Sequence, residues 1–376
     1  MQDDWALYSQ IINESTIQPT TIPTKLNGSS SLSLLRNIAV NDRIEELEMR
    51  LSKEREVIPG MITTGTVTLV YAPSGAGKTV WILGNLFQSI RNNLIKGSDV
   101  IYFNEDDGAK GVLQKAKMGH KHGMTMITLA NSPNPALRTT TDALRLLNAI
   151  REEGEADGKI VICDTLKKFA PVLNKGDMRE VLHVFREFAA AGGTVILLGH
   201  CNKHRSMDGR LIYEGVGDLK ADVDNMFGLD PVNDKFAFYQ ELLVINEKDR
   251  SQISFEGGFK YKQTSATVGY EESVDSVQFM TADDISDLKE KQKAQINIGK
   301  AINRYEDEYV LLSSVMKQGR LYAQTELFDM LQDEEINPNG CTKKTLRNCI
   351  DLLKGNNLKL ERKGTHGKKY YRWIPM

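Results

Sequence analysis

Between residue 57 and about residue 263, short apolar runs alternate with amphipathic stretches. The runs TVTLVY (66–71), DVIYFN (99–104), KIVICD (159–164), TVILLG (194–199) and AFYQELLVIN (237–246) are rich in β-branched residues, as strands are. Most precede a stretch with apolar positions three and four apart, such as VWILGNLFQSI (80–90) or DMREVLHVFREFAAA (177–191), which is the period of a helix packed on a sheet. The alternation predicts an α/β fold, a doubly wound parallel sheet whose ligands bind beyond the carboxyl ends of the strands.

The flanks follow other patterns. Residues 1–31 are polar and read as a flexible arm. From Leu32 to Glu56, Leu35, Ile38, Ile44, Leu47 and Leu51 form an apolar stripe that needs a partner, either this chain's own core or an adjacent subunit. After residue 264 the pattern fails, and ADDISDLKEKQKAQ (282–295) reads as a linker or solvated helix. Helices are predicted again at Ile298–Val315, Ala323–Leu331 and Thr342–Gly355. LKLERKGTHGKKYYRW (358–373) then alternates like two strands around a Gly364–Gly367 turn. Three helices and a hairpin predict a small winged helix-turn-helix domain. The expected division is therefore 1–56 arm and linker helix, 57–263 core, 264–296 linker and 297–376 winged helix.

Charge refines this picture locally. The 376-residue chain has a net charge of −2, but residues 341–376 hold ten Lys and Arg against Asp351 and Glu361. An anionic partner is therefore expected near the C-terminus, at Lys343, Lys344 and Arg347 on the last helix and Lys368 and Lys369 on the hairpin. Duplex or origin DNA fits that surface, and protein docking is the alternative. No run of about 18 apolar residues occurs, and the four cysteines are scattered without a CxxC pair, so a cytoplasmic protein with no membrane contact is expected. GHKHG (119–123) brings His120 and His122 together without a third metal ligand.

The chemistry concentrates at strand ends. APSGAGKT (72–79) fits a P-loop between an apolar strand and a helix. Pro73, Ser74, Gly75, Ala76, Gly77, Lys78, Thr79 and Val80 would hold a nucleotide, with backbone amides around the phosphates and Lys78 on the outer ones. Thr79 and Asp164, the latter ending the IVICD run, would hold Mg²⁺. Glu105 follows the second strand as a candidate base for the attacking water, with Asp106 and Asp107 as rivals. His200 and Asn202 lie beyond the fourth strand, where a polar side chain could sense the γ-phosphate. Lys248 and Arg250, spaced to share a face, suit cations donated to a neighbouring subunit's ATP.

These landmarks, in this order, resemble the RecA-like ATPases, and most closely the RepA-type and DnaB-type hexameric replicative helicases. The resemblance covers about residues 57–263. It implies ATP and Mg²⁺ as cofactors, Lys78, Glu105, His200, Lys248 and Arg250 as catalytic residues, the last two acting in trans, and single-stranded DNA in a central channel. Its DNA loops would carry Lys167 and Lys168, and Lys203, Arg205 and Arg210, contacting phosphates without reading bases. Two departures stand out: Cys201 occupies the place of a second sensor histidine, and EGVGDLKAD (214–222) replaces an Arg-Gly-Ser segment. The implied function is a ring helicase, hexameric in the family's manner, of a plasmid, phage or mobile element. A recombination or annealing ATPase on filaments, and an ATP-switched DNA-binding regulator or loader, are the alternatives.

Overall fold

The computed structural model describes residues 41, 44–130, 132–170, 175–202, 205–206, 210–215, 218–232, 237–250, 255–316, 320–331, 333, 335–337, 339–354, 358–363 and 368–373. A short helix, α1 (Ile44–Leu51), and a hairpin of β1 (Glu56–Ile58) and β2 (Ile62–Thr63) lead into the core. The core then runs β3 (Val67–Ala72), α2 (Lys78–Arg91), β4 (Val100–Asn104), α3 (Ala109–Lys121), β5 (Thr125–Ile127), α4 (Thr140–Glu152), β6 (Ile160–Asp164), α5 (Leu166–Phe169), α6 (Lys175–Ala190) and β7 (Thr194–His200). It closes with α7 (Asp218–Asp222), β8 (Asn225–Pro231), β9 (Tyr239–Asp249), β10 (Gly258–Lys262), α8 (Tyr270–Asp275) and β11 (Gln278–Phe279).

Nine strands form one sheet in the order β11-β10-β9-β8-β3-β7-β6-β4-β5. The strands from β8 to β5 are parallel, and β9, β10 and β11 extend the sheet antiparallel. Because successive side chains alternate between faces, each strand feeds two cores. Val67, Leu69 and Tyr71 join Leu144, Val181 and Phe185 of α4 and α6 on one face. Val70 and Ala72 join Trp81, Leu83 and Phe87 of α2 on the other. Burial on both faces is why these strands read as unbroken apolar runs.

The antiparallel extension is a departure from the purely parallel expectation. β8 was missed because Gly228, Asp230 and Pro231 interrupt its apolar character. Gly228 packs closely on the Tyr71 ring: a Cβ there would lie 3.0 Å from the Tyr71 hydroxyl.

The segment expected to be a linker, 264–296, instead packs on the core. Gly84 of α2 lets α8 approach so closely that an added Cβ would meet the Val274 carbonyl at 2.6 Å. A long helix, α9 (Ala282–Arg304), starts from a Thr281/Asp284 capping box. Its Leu288 is buried with Val232, Leu243 and Met280 of the core, whereas Ile298 and Ala301 near its far end belong to a separate C-terminal cluster. The helix expected at Ile298–Val315 is therefore two: α9 ends at Arg304, and α10 (Glu306–Val315) follows.

The C-terminal module adds β12 (Leu321–Ala323), α11 (Gln324–Met330), α12 (Lys343–Leu353), β13 (Leu358–Lys363) and β14 (Lys368–Trp373), with sheet order β12-β14-β13. Leu346, Ile350 and Leu353 of α12 face its core, together with Leu327, Leu358, Tyr371 and Trp373. In α1, Ile44, Met49 and Leu51 are exposed; Leu35 and Ile38 lie outside the described residues. No helix among the described residues is long and apolar enough to cross a membrane.

One buried carboxylate ties these parts together. Asp230, at the carboxyl end of β8, accepts two hydrogen bonds from Arg205, at 2.6 and 2.9 Å, and one from Gln292 of α9 at 2.8 Å. Removing one partner of such a pair leaves a charge in low dielectric, so Arg205→Ala is expected to destabilise the fold by about 3 kcal/mol. Urea unfolding of the full chain measures this; an unchanged midpoint would show that the pair carries no net stability.

Candidate nucleotide site

The loop from Pro73 to Gly77 joins β3 to α2. Gly75 and Gly77 adopt left-handed φ values of 76° and 87°, which side chains rarely tolerate. At Gly77 a Cβ would fall 1.8 Å from the Tyr261 hydroxyl, which donates to the Ala76 carbonyl at 3.2 Å. At Gly75 nothing lies within 4 Å, so the backbone opens onto free space. Ser74 is exposed, Pro73 and Thr79 are half-buried, and the Ala76 and Val80 side chains are buried in the core beneath the loop. The amino end of α2 thus presents backbone amides to an anion.

Lys78 is buried. Its ammonium donates to the carbonyls of Ala72 at 3.3 Å and Pro73 at 3.5 Å, and lies 3.3 Å from His200 Nδ1. Strand order explains the last contact: β7 runs between β3 and β6, so His200 at its end sits between the phosphate loop and Asp164. Burial, and then the Lys78 charge, hold the His200 pKa below its ordinary value, which keeps the ring neutral and Nδ1 able to accept. His200 Nε2 is buried without a hydrogen-bond partner among the described residues.

Asp164 closes the site from β6. Its Oδ2 accepts hydrogen bonds from Thr79 Oγ1 at 2.9 Å and the Tyr102 hydroxyl at 2.7 Å. Burial, reinforced by Asp164, raises the Tyr102 pKa, so this hydroxyl remains a donor. The Glu105 amide donates to the Asp164 carbonyl at 2.7 Å, which sets the two acidic segments side by side. Glu105 Oε1 accepts from the Leu129 amide at 2.7 Å, and burial raises the carboxyl's pKa. Its two rivals differ: Asp106 is exposed, and Asp107 is engaged by Lys115 and by Asn104 Nδ2 at 2.9 Å.

The remaining candidates fall into four places. Lys167 and Lys168 are exposed on α5 directly after Asp164; the Lys167 charge reaches Lys78 and His200, and that of Lys168 reaches Glu105. Beyond His200 the chain makes a hairpin-like excursion: Cys201 bridges Tyr213, Asn202 N donates to Ile212 O at 2.7 Å, and Ser206 N donates to Arg210 O at 3.0 Å. Asn202 and Arg210 are exposed there, and Lys203 lies outside the described residues. Arg205 departs from the expected free cation because its guanidinium is clasped on Asp230.

Lys248 and Arg250 share a face, as their spacing requires. Lys248 Nζ donates to the carbonyls of Lys220, Ala221 and Val223 at 2.5, 2.8 and 2.7 Å, and Arg250 Nη2 to Ala221 O at 3.0 Å, so both cap the carboxyl end of α7. Asp249 pairs with Asn225, and Asn225 with Thr68, which puts both cations beside the amino end of β3. The P-loop leaves the other end, a strand length or roughly 20 Å away.

On the C-terminal module Lys343, Lys344, Lys368 and Lys369 are exposed, and exposed Arg347 lies over the Phe328 ring at 5.5 Å. Four site residues escaped the sequence reading: Tyr102, Lys115, Tyr261 and Tyr270, whose hydroxyl is buried without a partner among the described residues. Lys115 left a signal, since it lies three residues before Met118 and four before Gly119 on the buried stripe of α3.

A family model described as an AAA domain matches residues 36–206, which include the phosphate loop, Glu105, Asp164 and His200. The core has the α/β fold of a RecA-like P-loop domain. Among solved structures the chain is similar to a KaiC-like protein from the hyperthermophilic archaeon Pyrococcus horikoshii OT3, with 14% identity over 61% of this chain and 100% of that chain and a TM-score of 0.41. No curated protein matches the chain.

The donor set of this ATPase core fits ATP with Mg²⁺: a glycine cradle open at Gly75, a buried lysine, and a hydroxyl and a carboxylate 2.9 Å apart at Thr79 and Asp164. When bound, the metal would neutralise phosphate charge. No group of three metal-ligating His, Cys, Asp or Glu side chains occurs among the described residues.

Glu105→Gln is expected to lower kcat by at least about a hundredfold with little change in nucleotide affinity. Because burial raises the Glu105 pKa, wild-type kcat/KM should fall with decreasing pH already above the ordinary carboxylate range. Steady-state ATPase assays across pH, paired with nucleotide titrations, check both. Full activity in the variant would move the base elsewhere.

Proposed function

We propose that the chain is an ATP-driven motor that assembles into a ring, a hexamer by its resemblance to replicative helicases, moves along single-stranded DNA and separates duplex. The observation that carries this reading is the remoteness of Lys248 and Arg250 from their own phosphate site. Cations at the opposite strand ends of the sheet can complete a neighbour's site but not their own, and a neighbour-completed site ties hydrolysis to assembly.

Other features support the DNA-bound part. Exposed Lys167, Lys168 and Arg210 lie on segments that directly follow Asp164 and His200, so a change at the phosphates would be felt where a DNA backbone would be held. The helices and three-stranded sheet of the C-terminal module support a winged-helix reading, and its exposed Lys343, Lys344, Lys368 and Lys369 suit duplex DNA. A dedicated replication protein of a plasmid, phage or other mobile element is the setting this combination suits.

Mixing variants tests the shared site. Lys78→Ala and Arg250→Ala subunits should each be inactive alone, but mixed equally they should recover about a quarter of wild-type DNA-stimulated ATPase, because a random assembly pairs an intact P-loop with an intact finger that often. No recovery would contradict the trans role. Lys343→Glu with Lys344→Glu should weaken duplex binding about tenfold or more and leave ATPase stimulation by single strands intact. Unchanged duplex binding would make the module a protein-docking or structural unit.

A further inference from the structure

Lys115 is a charged side chain that the catalytic reading leaves unused. It is 5% exposed, on the second turn of α3, while Leu113 two residues earlier is 58% exposed. A lysine is turned inward here at the expense of a leucine, against the ordinary partition of both residues. Such a group persists only where it is paired.

Its ammonium stands between two carboxylates. It forms an ion pair with Asp107, and it lies 3.9 Å from Asp164 Oδ2, the oxygen already held by Thr79 and Tyr102. Asp107 is fixed on its other side by Asn104 Nδ2 at 2.9 Å, and the first turn of α3 closes on it: a Cβ on Gly111 would lie 2.9 Å from the Asp107 carboxyl carbon. Asp107 belongs to the loop that carries Glu105. Glu105 in turn is joined to Asp164 by its amide and to Leu129 by its carboxylate.

We propose that Lys115 is a positioning residue, a strut that fixes the Glu105 loop against Asp164 so that the base and the metal-binding carboxylate keep a set separation. Thr79 and Tyr102 orient Asp164 from one side, and Lys115 links that carboxylate to the loop of the base from the other. Alignment of reacting groups contributes to rate and not to ground-state affinity, so the strut acts on kcat. The inference rests on the reading of this site as a centre of ATP hydrolysis.

The test uses the full-length chain and two readouts. In Lys115→Met, kcat for ATP should fall about tenfold to a hundredfold, with KM within about threefold of wild type. Amide hydrogen exchange of the nucleotide-free protein should speed up at Glu105 and Leu129, whose protection depends on the loop's position. Adding Asp107→Asn to Lys115→Met restores the charge balance but not the strut, so the double variant should remain as slow as the single one. Recovery of the wild-type rate would show that the lysine matters only as a countercharge. That result, a loss confined to KM, or unchanged exchange at both amides would each overturn the proposal. If Lys115→Met does not fold, Asp107→Asn alone, at a half-buried position, should reproduce the kcat and exchange changes, and its failure to do so refutes the strut. Absence of ATP hydrolysis in the wild type would overturn the catalytic reading instead, while the exchange arm would still decide whether Lys115 holds the loop.

Discussion

A carboxylate without solvent is unstable unless its charge is answered, and Asp164 sets that requirement at the centre of this molecule. Its oxygen is answered by Thr79 from the phosphate loop, Tyr102 from β4 and Lys115 from α3. Its backbone carbonyl holds the amide of Glu105. Thr79 and the stretch from Tyr102 to Lys115 therefore converge on the end of one strand. The candidate nucleotide site follows from that convergence, because the same contacts that answer Asp164 also orient the Thr79 hydroxyl and set Glu105 beside it.

Much of this was legible because burial on both sheet faces writes strands as apolar runs and because a phosphate loop demands glycine at particular backbone angles. Gly75, Gly77, Lys78 and Asp164 could be named from the chain alone. β8 could not, since Gly228 answers to the Tyr71 ring and Asp230 to Arg205, and both requirements come from tertiary packing. Arg205 and Lys115 illustrate the same limit from opposite sides. Composition marks every exposed or buried lysine and arginine alike, and only the fold shows that one cation is clasped on a carboxylate and another is buried between Asp107 and Asp164. The segment 264–296 looked like a linker because its helices bury few apolar residues; Gly84, Leu288 and Gln292 fix it through close approach and single polar contacts.

The fold also suggests how the two ends of the molecule communicate. The excursion after His200 reaches Asp230 through Arg205, Asp230 reaches α9 through Gln292, and α9 continues into the core of the C-terminal module. The sensor position is thus connected to the basic module by one buried carboxylate and one helix. At the opposite strand ends of the sheet, Lys248 and Arg250 cap α7, a strand length from their own phosphate loop. The proposed motor would use both features: a path from the phosphate loop to the basic module within a subunit, and a contact that reports the same phosphate to the next.

The central claim, that this ATPase works as a ring with its sites between subunits, is tested most directly by imaging the full-length chain with a non-hydrolysable ATP analogue and single-stranded DNA. The account predicts closed rings in which Lys248 and Arg250 of one subunit face the phosphate loop of the next, around a strand held near Lys167, Lys168 and Arg210. Open helical filaments would identify a recombination-type ATPase, and monomers with a fully formed nucleotide site would contradict the account altogether.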